Sequence, residues 1–252
     1  HDLIAAAVRA VGEISPQITF QVTQGNIAAP INQHSSPAIK VTPLTNEDKL
    51  TPSVNPRNTF DSFVVSSSNQ LAHAASLAVA DRPGGTFNPL FIYSGVGLGK
   101  THLLQAITQR AIHSGKTPRY LSSEQFTNDF ISAIRDKRTS EFRDYHRDVD
   151  ILLIDDIQFI SGKEQTQEGF FHTFNHLHNS NRQVVITCDR PPSEVPLLTE
   201  RLRSRFEGGL VADIQRPDVE TRSAILARRC METGVQMQAP IIDHLALNSP
   251  NS

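Results

Sequence analysis

The sequence predicts an α/β fold, a parallel sheet flanked by helices, and three observations carry that prediction. Short apolar runs alternate with helical patterns from about Asn55 onward, as successive βαβ units require. A glycine-rich stretch, Ser94-Gly95-Val96-Gly97-Leu98-Gly99-Lys100-Thr101, joins one apolar run to a helical pattern. Another run, Val149-Asp150-Ile151-Leu152-Leu153-Ile154, ends on two acids, Asp155 and Asp156. In open parallel sheets the ligand sits beyond the carboxyl ends of the strands, and both motifs fall there.

Composition narrows the class. With 252 residues, 38% apolar and 20% charged, the chain is long enough for a sizeable core and an unstructured segment besides. A net charge of −2 provides no global basic field, so any contact with nucleic acid must be local. Two cysteines, Cys188 and Cys230, build no disulfide framework and suit a reducing, cytoplasmic setting. No run approaches the roughly 18 apolar residues of a membrane span, and no signal peptide opens the chain. The chain starts at His1, and its end, Leu247 to Ser252, closes no helix. Both ends are therefore expected to be cuts and the sequence a fragment.

The elements follow in order. Residues 1–24 read as a helix carrying Leu3, Ile4, Val8 and Val11 on one face, then a strand around 18–22. From 25 to 54, Pro30, Pro37, Pro43 and Pro52 lie among polar residues without apolar periodicity. Such a segment buries too little to offset its ordering entropy, which predicts a disordered linker. Strands are predicted at 90–93, 119–122, 150–154, 183–187 and 209–213. Helices are predicted at 101–113, with Leu103, Leu104, Ile107 and Ala111 at helical spacing, at 124–136 and at 165–178. The last of these carries Phe170, Phe171, Phe174 and Leu177 as a core stripe; His172 and His176 share a face but lack the glutamate and third ligand of a metal site. A final helix near 218–233 starts after Pro217 with Asp218 as N-cap.

The glycine-rich stretch describes a phosphate cradle. Gly95, Gly97 and Gly99 let the backbone curl until its N–H groups share a centre, and the following helix N-terminus adds positive potential there. Lys100 would reach the outer phosphates of a nucleoside triphosphate, and the Thr101 hydroxyl would hold Mg²⁺. The full P-loop pattern wants glycine at its first position, where this chain has Ser94. Of the two acids, Asp155 is assigned to the metal and Asp156 to the attacking water. The strand at 183–187 runs into Thr187, Cys188 and Asp189; Thr187 or Asp189 could touch the terminal phosphate or the water. Arg201, Arg203 and Arg205 follow at every second residue, and an arginine supplied to a neighbouring subunit's phosphates would lower transition-state charge.

Over about 55–246 the chain resembles the DnaA family of bacterial chromosomal replication initiators, which are AAA+ ATPases. The resemblance rests on Asn55 to Val65, on Asn69 with Leu71 to Ala75, on Asn88 to Tyr93 with Gly95 to His102, and on Leu152 to Phe159. Gly162-Lys163-Glu164, Phe170 to Asn175 and Asp189-Arg190-Pro191-Pro192 continue it. It implies ATP and Mg²⁺ as cofactors, with Asp189 in the sensor-1 stretch and Arg205 as the arginine finger on the next protomer's ATP. It also implies an adenine contact around Phe63–Asn69 and a single-stranded DNA contact around Thr127–Ile131 and Lys163. By resemblance, 1–24 is the tail of an N-terminal interaction domain, 25–54 a linker, 55–215 the nucleotide-binding domain and 216–252 the truncated start of a helical lid. The implied function is a weak, switch-like ATPase that assembles head to tail on origin DNA to initiate replication. The replicative helicase and acidic phospholipid are further partners implied, while duplex box recognition belongs to a C-terminal domain beyond Ser252. Two other readings use the same P-loop: an ATP-gated regulatory or loader-type module without origin recognition, and a small-molecule kinase with its arginine in cis.

Overall fold

The computed structural model describes residues 54–248. The helix and strand expected within 1–24, nearly all of the expected linker and residues 249–252 lie outside the described residues. Five parallel strands form one sheet: β1 (Leu90–Tyr93), β2 (Pro118–Ser122), β3 (Ile151–Asp155), β4 (Gln183–Cys188) and β5 (Leu210–Asp213). Their spatial order is β2-β3-β4-β1-β5. The chain leaves β1 for the far edge at β2, steps back through β3 and β4, then crosses β1 to reach β5. The carboxyl end of β1 is thus where strand order reverses, the place such sheets reserve for ligands.

Eight helices are described: α1 (Gln70–Asp81), α2 (Lys100–His113), α3 (Ser123–Arg135), α4 (Thr139–Arg147), α5 (Glu164–Asn179), α6 (Glu200–Glu207), α7 (Val219–Thr233) and α8 (Ala239–Asn248). Short 3₁₀ turns at Ile157–Ile160 and Pro192–Glu194 join the set. Side-chain alternation along the strands divides the core into two layers. Phe91, Leu152, Ile154, Val184 and Ile186 face Phe126, Phe142, Phe170, Phe174 and Phe206, which come from α3, α4, α5 and α6. Leu90, Ile92, Ile151, Leu153 and Val185 face Ala72 and Val79 of α1 and Leu103, Leu104 and Ile107 of α2. Each such fully buried large side chain is worth roughly 1.5–3 kcal/mol relative to exposure. Strands apolar on both faces are what a sheet covered on both sides requires.

All five expected strands form, as do the four expected helices in the described region. Four helices were not expected: α1, α4, α6, which carries the arginine triplet, and α8. Helix α1 is alanine-rich and buries Ala72, Ala75, Val79 and Ala80 without a strong apolar stripe. Helix α4, Thr-Ser-Glu-Phe-Arg-Asp-Tyr-His-Arg, buries only Phe142 and His146, so its pattern reads as a polar loop. Helix α8 corrects the reading that the chain's end closes no helix, since Leu247 lies inside it. Its first turn tolerates Pro240, whose missing N–H has no partner to lose there. It is tied to α7 by Arg222, whose Nε donates to the Ala246 carbonyl at 2.8 Å, and by Ser223, whose hydroxyl donates to Asp243 at 3.0 Å.

What holds α4 on the sheet edge is a buried cation and a buried ring. Arg119 of β2 places its guanidinium over the Tyr145 ring, 3.4 Å from the centroid, and donates to the Tyr145 carbonyl. His146 is 1% exposed, with its ring 4.3 Å from that of Phe142 and 5.2 Å from that of Phe126. Its Nδ1 lies 3.1 Å from the Phe142 carbonyl, which can only accept, so that nitrogen carries the proton of the neutral ring. Nε2 is buried without a partner. Burial, with a smaller contribution from the Arg119 charge, pushes the imidazole down to about 4. The unfolded chain therefore takes up a proton near pH 6.5 that the folded chain refuses until about pH 4. This contribution to stability is complete above pH 6.5 and lost as pH falls through that window. It amounts to about 3 kcal/mol at one decade per 1.36 kcal/mol. Urea melts between pH 7 and 4 should show this loss for the native chain, and His146→Phe should flatten it.

Candidate nucleotide-binding site

Between β1 and α2 the backbone turns through two glycines with positive φ, Gly97 at 80° and Gly99 at 101°. Gly99 is doubly required, because a Cβ there would also lie 2.9 Å from Cε2 of Phe63. Lys100, first residue of α2 and only 7% exposed, folds back into the loop. Its Nζ donates to the carbonyls of Ser94 and Gly95, both at 3.0 Å, and stands 3.4 Å from the Ser94 hydroxyl. Ser94 thus fits the first loop position without closing the cradle. Its own hydroxyl donates to Gly95 O at 2.9 Å.

The acids stand at the end of β3, two strands away, and β4 fills the gap between. Asp155 is 5% exposed and its two oxygens are fully engaged. Oδ2 accepts from the Thr101 hydroxyl at 2.8 Å and the Tyr120 phenol at 3.1 Å. Oδ1 accepts from the Thr187 hydroxyl at 2.5 Å. Thr187 Oγ1 in turn accepts the Asp156 N–H at 2.9 Å, and the Asp156 carbonyl accepts from Ser123 at 2.6 Å. Asp156 sits in the left-handed region, φ 54° and ψ 58°. Its Oδ1 accepts from Gln158 at 3.2 Å. Burial, then the Asp155 charge, pushes the Tyr120 phenol up to about 12, so it stays a donor.

Of the two residues left open at the end of β4, Thr187 is the one the structure brings to Asp155. Asp189 makes no hydrogen bond to Asp155 or Asp156. Its carboxylate is held by both nitrogens of the Arg190 fork at 2.9 Å, which keeps it below the usual carboxylate range. Between them lies Cys188, whose thiol burial pushes up to about 11.

A cavity of about 150 Å³ opens beside the glycine loop. Phe63, Val64 and Asn69 line one side and Gly97, Leu98 and Gly99 another. Ile225, Arg228, Arg229 and Glu232 of α7 close the third. The segment singled out around Phe63–Asn69 therefore meets the P-loop, and Asn69 braces it: Oδ1 accepts the Ser66 N–H at 2.9 Å and Nδ2 donates to Val64 O at 3.0 Å. His102 ties the same segment to α2, with Nε2 2.7 Å from the Thr59 carbonyl and its ring edge-on to Phe63 at 5.2 Å. Sequence reasoning did not single out Tyr120, His102 or the α7 residues. His102 adjoins Thr101 and could have been found by position alone; a tyrosine within a strand carries no local signal of a polar role.

The arginine triplet lies on α6, so helical rather than alternating geometry governs it. Arg201 and Arg205, one turn apart, are exposed and have no hydrogen-bond or ion-pair partner among the described residues. Arg203 points elsewhere and pairs with Glu200. Lys163, just before α5, is exposed. In α3 Ile131 is exposed, but Thr127 is buried and its hydroxyl donates to Ser123 O at 2.8 Å, so it is not presented to solvent.

A parallel sheet in this order, with a lysine-bearing glycine loop after β1 and acids at the tip of β3, defines the class: a P-loop ATPase-type domain. Comparison with known proteins gives the family. The bacterial DnaA ATPase domain model matches residues 54–213. The chromosomal replication initiator protein DnaA of Thermomicrobium roseum is 62% identical over 203 residues, covering 78% of this chain and 44% of that protein. The chain thus spans less than half the length of this curated relative. The crystal structure of domain III of the Thermotoga maritima replication initiation protein DnaA is 44% identical with a TM-score of 0.76, covering 79% of this chain and 83% of that one. A replication initiator DnaA bound to AMPPCP and single-stranded DNA is 38% identical with a TM-score of 0.75, covering 79% of this chain and 62% of that one. This chain belongs to the bacterial DnaA ATPase domain family.

Proposed function

We propose that this chain is the nucleotide-binding and assembly portion of a chromosomal replication initiator, using ATP as an assembly signal and slow hydrolysis as its reset. The observation that carries the reading is the convergence of Lys100, Thr101, Asp155 and Thr187 at the reversal point of the sheet. In this reading 55–215 is the nucleotide-binding domain and 216–252 the beginning of a helical lid. Segment 25–54 links it to 1–24, the tail of an N-terminal interaction domain.

The residues present fit a magnesium–triphosphate. The Thr101 proton is committed to Asp155, which leaves the hydroxyl lone pairs for a hard cation that prefers oxygen ligands. Mg²⁺ bound there would neutralise phosphate charge. Gly95, Gly97 and Gly99 admit the phosphates to the loop backbone, and Lys100 exchanges its two carbonyl partners for phosphate oxygens. Phe63 and Asn69 shape the wall that takes adenine. Asp156 orients the attacking water, and Asp189 serves as sensor through rearrangement of its Arg190 pair. Arg205, with Arg201 one turn before it, reaches the ATP of the next protomer and makes hydrolysis and assembly one event.

Lys163 contacts single-stranded DNA locally, consistent with a net charge of −2 that offers no global field. Origin duplex recognition falls to a region outside these residues. By family resemblance the assembled form acts on origin DNA in the cytoplasm and meets the replicative helicase and acidic phospholipid. No helix among the described residues is long and apolar enough to cross a membrane.

Sedimentation of the chain with Mg-ATP, Mg-ADP or neither, with and without a single-stranded oligonucleotide, tests the reading. ATP alone among the three conditions should give higher oligomers, and oligonucleotide binding should require ATP and weaken steeply with salt. Oligonucleotide binding indifferent to nucleotide would overturn it.

A further inference from the structure

We propose that Tyr120 is a positioning residue for divalent metal at this site, fixing Asp155 so that Asp155 can fix Thr101; the inference rests on the nucleotide-site reading above. Tyr120 would touch neither metal nor nucleotide. It acts through a chain of hydrogen bonds whose direction is determined by chemistry. Gln105, buried on α2, accepts at Oε1 from the Asn58 side chain at 2.8 Å and from the Asn55 N–H at 3.2 Å. Its oxygen is thereby engaged, and its Nε2 faces the Tyr120 hydroxyl at 3.5 Å as a donor. The phenol oxygen receives that contact, so its single proton goes to Asp155 Oδ2, 3.1 Å away. An ionised carboxylate can only accept, which makes the arrangement one-way.

Asp155 therefore receives three hydroxyl protons from three elements: Thr101 on α2, Tyr120 on β2 and Thr187 on β4. Thr187 anchors Oδ1. Oδ2 has two donors, and one of them, Thr101, is the hydroxyl offered to the metal. Without Tyr120, Oδ2 would be oriented only by the group it is meant to orient. Partners that hold a metal ligand's neighbour in this way are usually worth a large factor in metal affinity. The chain also begins at Asn58, in the segment before α1, so that segment bears on the same carboxylate.

The test is a Mg²⁺ titration of mant-ATP binding to the full 252-residue chain, with binding in EDTA and the melting of metal-free protein measured alongside. Tyr120→Phe keeps the ring and removes the proton. Its Mg²⁺ midpoint should rise roughly 10-fold or more, with mant-ATP affinity in EDTA and melting unchanged. An unchanged midpoint overturns the inference, as does an equal weakening with and without Mg²⁺, which would mark a purely structural role. If Tyr120→Phe does not fold, Gln105→Met is read the same way: a raised midpoint supports the relay and an unchanged one overturns it. If the native chain fails to bind mant-ATP at any Mg²⁺ concentration, the nucleotide-site reading falls and this inference with it.

Discussion

Lys100→Ala is expected to abolish measurable ATP binding while leaving the fold intact. The amine occupies the floor of the glycine loop, 3.0 Å from two backbone carbonyls and almost out of solvent. Those carbonyls are fixed dipoles that hold the charge where phosphate oxygens would arrive. A charge-assisted hydrogen bond is worth about 1.5–3 kcal/mol, and a lysine between two phosphate oxygens makes about two of them. The loss is therefore about two to four decades in affinity at roughly 1.4 kcal/mol per decade. Stability should change little, since Gly95 is exposed and loss of the lysine side chain opens the buried Ser94 carbonyl beside it to water. Lys100→Met, which keeps the aliphatic stem, should bind as poorly as the alanine variant. Isothermal titration with Mg-ATP decides it, and near-native affinity in either variant would remove Lys100 from the site.

How far the sequence could be read depended on whether a residue acts through its neighbours in the chain or across the fold. The central strands were legible because both of their faces are buried, which leaves apolar runs such as Ile151 to Ile154 and Val184 to Ile186. Helix α2 was legible because Leu103, Leu104, Ile107 and Ala111 repeat at its period. Helix α4 was not, because what holds it comes from elsewhere: Arg119 lies on β2, and Phe126, packed on His146, lies on α3. The site divides in the same way. Lys100, Thr101 and Asp155 announce themselves by spacing along the chain. The reach of Thr187 to Asp155 needs β4 to lie between β1 and β3, which only the strand order supplies. Asp189, more conspicuous in sequence as an acid, is engaged by the residue beside it. The arginines show the converse hazard: an every-second-residue spacing suggests one face, and a helix splits Arg203 from Arg201 and Arg205.

That split sets up the second large effect, loss of ATP-dependent assembly in Arg205→Ala with ATP affinity unchanged. Arg205 makes no hydrogen bond or ion pair to its own glycine loop, and it is exposed and has no such partner among the described residues. A guanidinium left free on a short helix gains its largest interaction only when another molecule brings it an anion, and the phosphates of a neighbour's ATP would be the densest anion in the proposed assembly. Removing one member of a buried, hydrogen-bonded charge pair at an interface costs about 2–5 kcal/mol, roughly 30-fold to several thousand-fold in the association constant. Sedimentation with Mg-ATP should then find Arg205→Ala monomeric at concentrations where the native chain assembles, while its ATP titration overlays the native curve. Arg203→Ala is the internal control. Its side chain is already paired with Glu200, so its loss should lower melting temperature and leave assembly in place. Lys100→Ala should also fail to assemble, but through lost nucleotide, and only the pair of readouts separates the two causes. Should Arg205→Ala assemble normally with ATP, the interface lies elsewhere and the free arginine is a solvated surface charge.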